Sequence, residues 1–125
     1  MNVGVVGSRS LKVDCLEKYL PENTKVVVSG GAIGIDTCAK NWAINNKITL
    51  REFLPEYTKY GITAPLRRNV TIVKNSDLVI AFWDRKSRGT VFTLKKCAEL
   101  GVPYKIFVPS KDDANTFEPY FKNNF

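Results

Sequence analysis

Three short segments concentrate the residues that could do chemistry: Gly7-Ser8-Arg9-Ser10, Ser29-Gly30-Gly31-Ala32-Ile33-Gly34-Ile35-Asp36 and Asp84-Arg85-Lys86-Ser87-Arg88-Gly89-Thr90. Each follows an apolar run, and the second and third lead into helical spacing. Glycines after a strand allow a tight turn and bring backbone N–H groups close to a ligand, and the following helix adds its positive end. The plainer alternative for the glycine segment is a tight turn with no ligand. In the third segment Arg85, Lys86 and Arg88 surround the start of a helix. Cations there oppose the helix dipole unless an anion compensates, so phosphate is assigned to Ser87, Arg88, Gly89 and Thr90. Ser87 or Thr90 could equally cap that helix.

The other candidates follow from these. Gly7, Gly30 and Gly31 would let a ligand approach, flanked by Ser8, Arg9 and Ser29. Ser10 could cap a helix, and Arg9 could simply be solvated. Asp36 would repel a phosphate at its own position, so it is either a capping group or a partner for a ribose hydroxyl. Arg68 and Asn69 open a later helix, Asn69 bordering its apolar stripe and Arg68 lying away from it. Trp83 ends a strand, on the opposite face from Phe82. It either packs in the core or stacks on a base.

The 125 residues contain no histidine, which excludes a Ser-His-Asp triad, a Cys-His dyad and histidine-containing zinc sites. No metal or cofactor is expected. Cys15, Cys38 and Cys97 are odd in number and far apart, as for reduced thiols in a cytoplasmic protein. No apolar run approaches the ~20 residues of a membrane span, and the start lacks the charged region of a signal peptide. A net charge of +7 favours anionic partners or a solvated basic surface. The basic residues look scattered, without an interleaved basic–aromatic stripe.

Apolar runs alternating with helical patterns must position these residues. Strands are predicted at Asn2–Val6, Lys25–Ser29, Ile48–Leu54, Asp77–Trp83 and Tyr104–Val108. Helices are predicted at Leu11–Leu20, from about Gly34 to Asn46, from Pro65 with Leu66, Val70 and Val73 as its core stripe, and from about Gly89 to Leu100 with Gly101 as C-cap. The segment from Pro55 to Ala64 reads as a loop. Residues 110–125 read as an arm or short helix, with Phe117, Tyr120, Phe121 and Phe125 packing. The pattern predicts an α/β domain over 1–125: a doubly wound, mainly parallel five-stranded sheet with helices on both faces. Ligands of such sheets lie beyond the carboxyl ends of the strands, where strand order reverses. That ranks the loops after strands one, two and four as the site.

Together, GSRS (7–10), SGGAIGID (29–36), YGITAPLRRN (60–69) and SDLVIAFWDRKSRGT (76–90) resemble the SLOG superfamily. This group contains the LOG phosphoribohydrolases, the DprA DNA-processing proteins and the small YspA-like proteins, the last being the nearest in pattern. The resemblance implies a Rossmann-like domain that binds a nucleotide or nucleotide-derived small molecule, such as a mononucleotide or an ADP-ribose-like ligand. It also implies a homo-oligomer, dimeric or higher. LOG enzymes place an arginine and a glutamate on the ribose–base bond. Arg68 matches the arginine, but Gly89-Thr90 is followed by Val91-Phe92-Thr93, with no glutamate, and the proline-glycine-glycine loop start is replaced by Asp84-Arg85-Lys86-Ser87. A sensing or sequestering module is therefore expected. The alternatives are a nucleotide N-glycosidic hydrolase, with Arg68, Asp36 and Asp84 as catalytic candidates, and a DprA-like binder of single-stranded DNA.

Overall fold

The computed structural model describes residues 1–112 and 116–121. The run Leu78-Val79-Ile80-Ala81-Phe82 has no polar face, so it is stable only where both faces are covered. It forms such a strand, buried throughout. Six strands make one sheet: β1 Asn2–Gly7, β2 Val26–Ser29, β3 Thr49–Glu52, β4 Leu78–Phe82, β5 Tyr104–Pro109 and β6 Phe117–Tyr120. Their order is β3-β2-β1-β4-β5-β6. The first five are parallel, with Val5 opposite Ile80 and Gly7 opposite Phe82, and β6 runs antiparallel to β5. The helices are α1 Ile35–Asn45, α2 Tyr57–Tyr60, α3 Ala64–Lys74 and α4 Arg88–Leu100, with 3-10 turns at Leu16–Lys18 and Gly61–Thr63. This is the mainly parallel α/β sheet predicted from the alternating pattern and the Rossmann-like fold that the resemblance implies.

Strand alternation divides the core in two. Val3, Val5, Val27, Ile80 and Phe82 face α1, which contributes Ile35, Ala39 and Ala43. Val6, Val28, Val79, Ala81 and Trp83 face α3 and α4, which contribute Ile72, Val73, Leu94 and Cys97. Burial pushes the Cys97 thiol up to about 11. Gly101 ends α4 with φ 70, the left-handed C-cap expected of it.

Four expectations need correction. The segment Leu11–Leu20 forms no α-helix. Its apolar residues at 13, 16 and 20 keep helical spacing, but Ser10 bonds Asp84 instead of capping the segment, and the residue before the turn, Cys15, provides no side-chain cap. One uncapped turn has nothing to offset the entropy of nucleation. The segment still covers the α1 face, because Val13 and Leu16 are buried there. Second, the sheet has six strands. Phe117 packs edge-on against Phe82 and Tyr19, and the Tyr19 hydroxyl accepts the Phe117 N–H at 3.1 Å. This pins the tail as a strand rather than an arm or helix. Phe121 is exposed, and Phe125 lies outside the described residues. Third, the Pro55–Ala64 loop contains α2 and a 3-10 turn. Fourth, α3 docks through Ala64, Ile72 and Val73, leaving Leu66 39 % exposed and Val70 half-buried.

Candidate functional site

The chain runs from β1 outward to β2 and β3, then returns to place β4 on the other side of β1. Two loops therefore diverge at the carboxyl ends of β1 and β4, and a crevice must open between them. It has a volume of about 420 Å³. Gly7, Ser8, Arg9, Asp36, Arg68, Asn69, Asp84, Ser87, Gly89 and Thr90 all line it. A second pocket of about 290 Å³ adjoins it, sharing Arg9, Ala32 and Arg68 and adding Gly30 and Gly31. Ser29 is fully buried beneath. Two predicted residues lie apart: Arg88 points to solvent at the first position of α4, and Trp83 is 8 % exposed in the α3–α4 core, edge-on to Tyr120.

The β1–β4 side is knitted to itself. The Ser8 N–H donates to the Phe82 carbonyl at 3.0 Å, and the Asp84 N–H donates to the Ser8 hydroxyl at 3.1 Å. Asp84 Oδ1 accepts the N–H groups of Lys86 (2.8 Å) and Ser87 (2.7 Å), while Oδ2 accepts the Ser10 hydroxyl at 3.0 Å. Partial burial pushes the Asp84 pKa up, but these backbone and hydroxyl donors outweigh it and hold the carboxyl below its ordinary value. Ser10 therefore caps no helix. Ser87 is the N-cap of α4: its hydroxyl accepts the Thr90 N–H at 3.4 Å and lies 3.2 Å from the Thr90 hydroxyl. The amides of Arg88 and Gly89 have no acceptor among the described residues, and a side chain built at Gly89 would meet open space.

The β2–β3 side is different. Arg68 reaches back from α3, donating to the Gly30 carbonyl and, at 2.8 Å, to Asn69 Oδ1. A Cβ at Gly30 would collide with that guanidinium, so the bare backbone at this position seats Arg68. Gly34, with φ 77, makes a similar close approach to the Arg9 backbone. Burial lowers the Arg68 pKa and Arg9 adds to the effect, against the opposing pull of Asp36 and Tyr57. Asp36, 9 % exposed, accepts the Ala32 N–H at 3.0 Å. It ties the glycine loop to α1, whose N-cap is Gly34. Burial raises its pKa more than the Ala32 hydrogen bond, Arg68 and Ser29 lower it, and Glu52 raises it further. Glu52 Oε2 is buried without a hydrogen-bond partner, and so is the Ser29 hydroxyl, although it lies near enough to Asp36 to favour the ionised carboxyl. Arg9 is exposed and bonded to no described residue.

Sequence reasoning missed Glu52, Tyr57, Thr93 and Leu66. The signal for the first two was their place at the carboxyl end of β3 and just beyond it. The fold also gathers basic and aromatic residues that look scattered along the chain. Arg67 and Lys59 lie 4.5 and 5.1 Å from the Tyr60 ring centroid, and Arg51 lies 5.4 Å from that of Phe53. Beside them a third cavity of about 420 Å³ is lined by Lys59, Tyr60, Arg67, Arg68 and Lys74. Among the described residues, no helix is long and apolar enough to cross a membrane.

Residues 1–81 match the family model described as DNA recombination-mediator protein A. No curated protein and no solved structure matches the chain. The matched region carries the Gly7–Ser10 and Ser29–Asp36 loops and Arg68, and it ends within β4, before the Asp84–Thr90 loop. That match spans well over half of the 125 residues, and the chain belongs to the DNA recombination-mediator protein A family.

Proposed function

We propose that the crevice binds the phosphorylated part of a nucleotide or nucleotide-derived small molecule, as a sensing or sequestering site. The observation that carries this reading is the convergence, in one crevice, of the unpaired Arg9, the guanidinium of Arg68 and the open amides at the start of α4. Helix amides and guanidinium groups are the donors that a phosphate fits. Asp36, on the same wall, is an acceptor for a ribose hydroxyl.

Hydrolysis of the ribose–base bond is the weaker reading. A developing positive charge on the ribose needs an ionised carboxylate beside it, and burial disfavours the charge of Asp36. After Gly89-Thr90 the polar side chain available is the buried Thr93 hydroxyl, which donates to the Gly89 carbonyl at 2.9 Å. Asp84 is occupied by its own loop.

Calorimetry with nucleoside monophosphates tests the assignment. Gly89→Asp adds a carboxylate in open space. It should weaken binding at least about tenfold, or ~1.4 kcal/mol. Unchanged affinity in a folded variant would contradict the assignment. Repeated release of free base, seen by chromatography, would move the function to hydrolysis.

The family match and the Lys59–Tyr60–Arg67 face support a second reading, single-stranded DNA held along α2 and α3. Aromatic rings and cations are what a single strand engages. Fluorescence anisotropy decides between them: DNA binding that survives ~150 mM salt and falls with Arg67→Ala favours this face.

A further inference from the structure

We propose that the pocket adjoining the crevice is the subsite for the nucleotide's base, with the Tyr57 ring as its stacking platform. This deepens the nucleotide reading and rests on it. Two observations place a base there. The first is continuity. Crevice and pocket share the walls Arg9, Ala32 and Arg68, so a ligand with its ribose at Asp36 extends past Arg68 into the pocket. The second is wall chemistry. The crevice mixes hydroxyls, carboxylates and amides with the aliphatic side chains of Val6, Leu66 and Ile72, whereas the adjoining pocket is closed by Pro55, Ile33 and an aromatic ring, that of Tyr57. Tyr57 is 57 % exposed and Ile33 68 % exposed, although both are apolar enough to pack. A flat ring that covers them removes that surface from water. The volume of about 290 Å³ has room for a single heteroaromatic base.

Recognition by stacking makes the subsite tolerant of base identity, because every base presents a π-face. Arg9 and Arg68 add N–H donors at the pocket wall without adding an acceptor.

The test compares adenosine 5′-monophosphate with ribose 5-phosphate, which lacks the base. In the wild type both bind, the former more tightly. Tyr57→Ala, at an exposed position that keeps the fold, weakens the nucleotide by about tenfold and changes ribose 5-phosphate by less than about twofold. Tyr57→Phe keeps the ring and the nucleotide affinity. Ile33→Asp, which sets a charge where the base lies, also weakens the nucleotide selectively. If Tyr57→Ala weakens both ligands alike, or neither, the base subsite is wrong while the phosphate crevice stands. If the wild type binds neither ligand, the nucleotide reading falls and the subsite with it.

Discussion

The two walls of the crevice are built from similar residues and settled differently. On the β1–β4 wall the loop side chains are spent on one another: Asp84 takes two N–H groups and a hydroxyl, and Ser87 caps α4. What stays open there, among the described residues, is the Arg9 guanidinium and the Arg88 and Gly89 amides. On the β2–β3 wall the Ser29 hydroxyl and Glu52 Oε2 are buried without partners, burial disfavours the Asp36 charge, and Arg68 hangs on one distant carbonyl and its neighbour Asn69. Side chains that satisfy one another make a scaffold, and buried polar groups left without partners are where a ligand or a proton changes the energy most. Gly7 and Gly30 show the same division. At Gly7 a side chain would meet the Phe82 carbonyl at 2.6 Å, whereas at Gly30 it would meet only the far end of Arg68.

Breaking the scaffold should give the largest effects. Gly7→Ala pushes backbone against backbone and should destabilise the fold by about 3 kcal/mol in urea titration. A loss below ~1 kcal/mol would mean that the β1–β4 junction yields. Next, Asp84→Ala removes the acceptor of the Lys86 and Ser87 amides, which water can partly replace at this exposed loop, and should cost about 1 kcal/mol. Because the folded carboxyl titrates below its ordinary value, its stabilisation is present above the ordinary aspartate pKa of about 4 and is lost as pH falls through the folded value. Asp84→Asn should abolish that acid-side loss. On the opposite wall, Gly30→Ala should lower stability by only about 1 kcal/mol, since the flexible Arg68 can swing aside, yet it should weaken nucleotide binding. A loss as large as that of Gly7→Ala would erase the contrast between the walls.

The smallest stability change belongs to Asp36→Asn, less than about 1 kcal/mol, because the amide oxygen still accepts the Ala32 N–H. Its pH dependence has the opposite sign from that of Asp84. A raised folded pKa favours the native state below the unfolded pKa, and that advantage is lost as pH rises through the folded value. Wild type should therefore lose stability relative to Asp36→Asn as pH rises from the ordinary aspartate value of about 4 through the raised folded value. Urea titrations across that range would show the crossing, and parallel curves would contradict the unsettled wall.

Much of this was legible in order of spacing. The unbroken apolar run of β4, the glycine loop between β2 and α1 and the alternation of elements led to the doubly wound sheet, and three of its loops were ranked as the site, of which those after β1 and β4 flank the crevice. What was not legible depends on long-range closure. Arg68 looks solvated on its own helix and becomes a crevice wall through a carbonyl 38 residues away. Leu11–Leu20 has the apolar spacing of a helix but lacks a cap, because Ser10 is drawn to Asp84, 74 residues away. The final strand is decided by Tyr19, 98 residues earlier. Trp83, open in sequence between stacking and packing, lies in the core because α4 covers that face.

The central claim, that phosphate sits between Arg9, Arg68 and the start of α4, is tested most directly by NMR. Backbone amides of the ¹⁵N-labelled chain would be followed as adenosine 5′-monophosphate is added. Saturable shifts are expected at Arg9, Arg68, Gly89 and Thr90, absent in Gly89→Asp. Shifts confined to the Lys59–Tyr60–Arg67 face, or no saturable shifts at all, would contradict it.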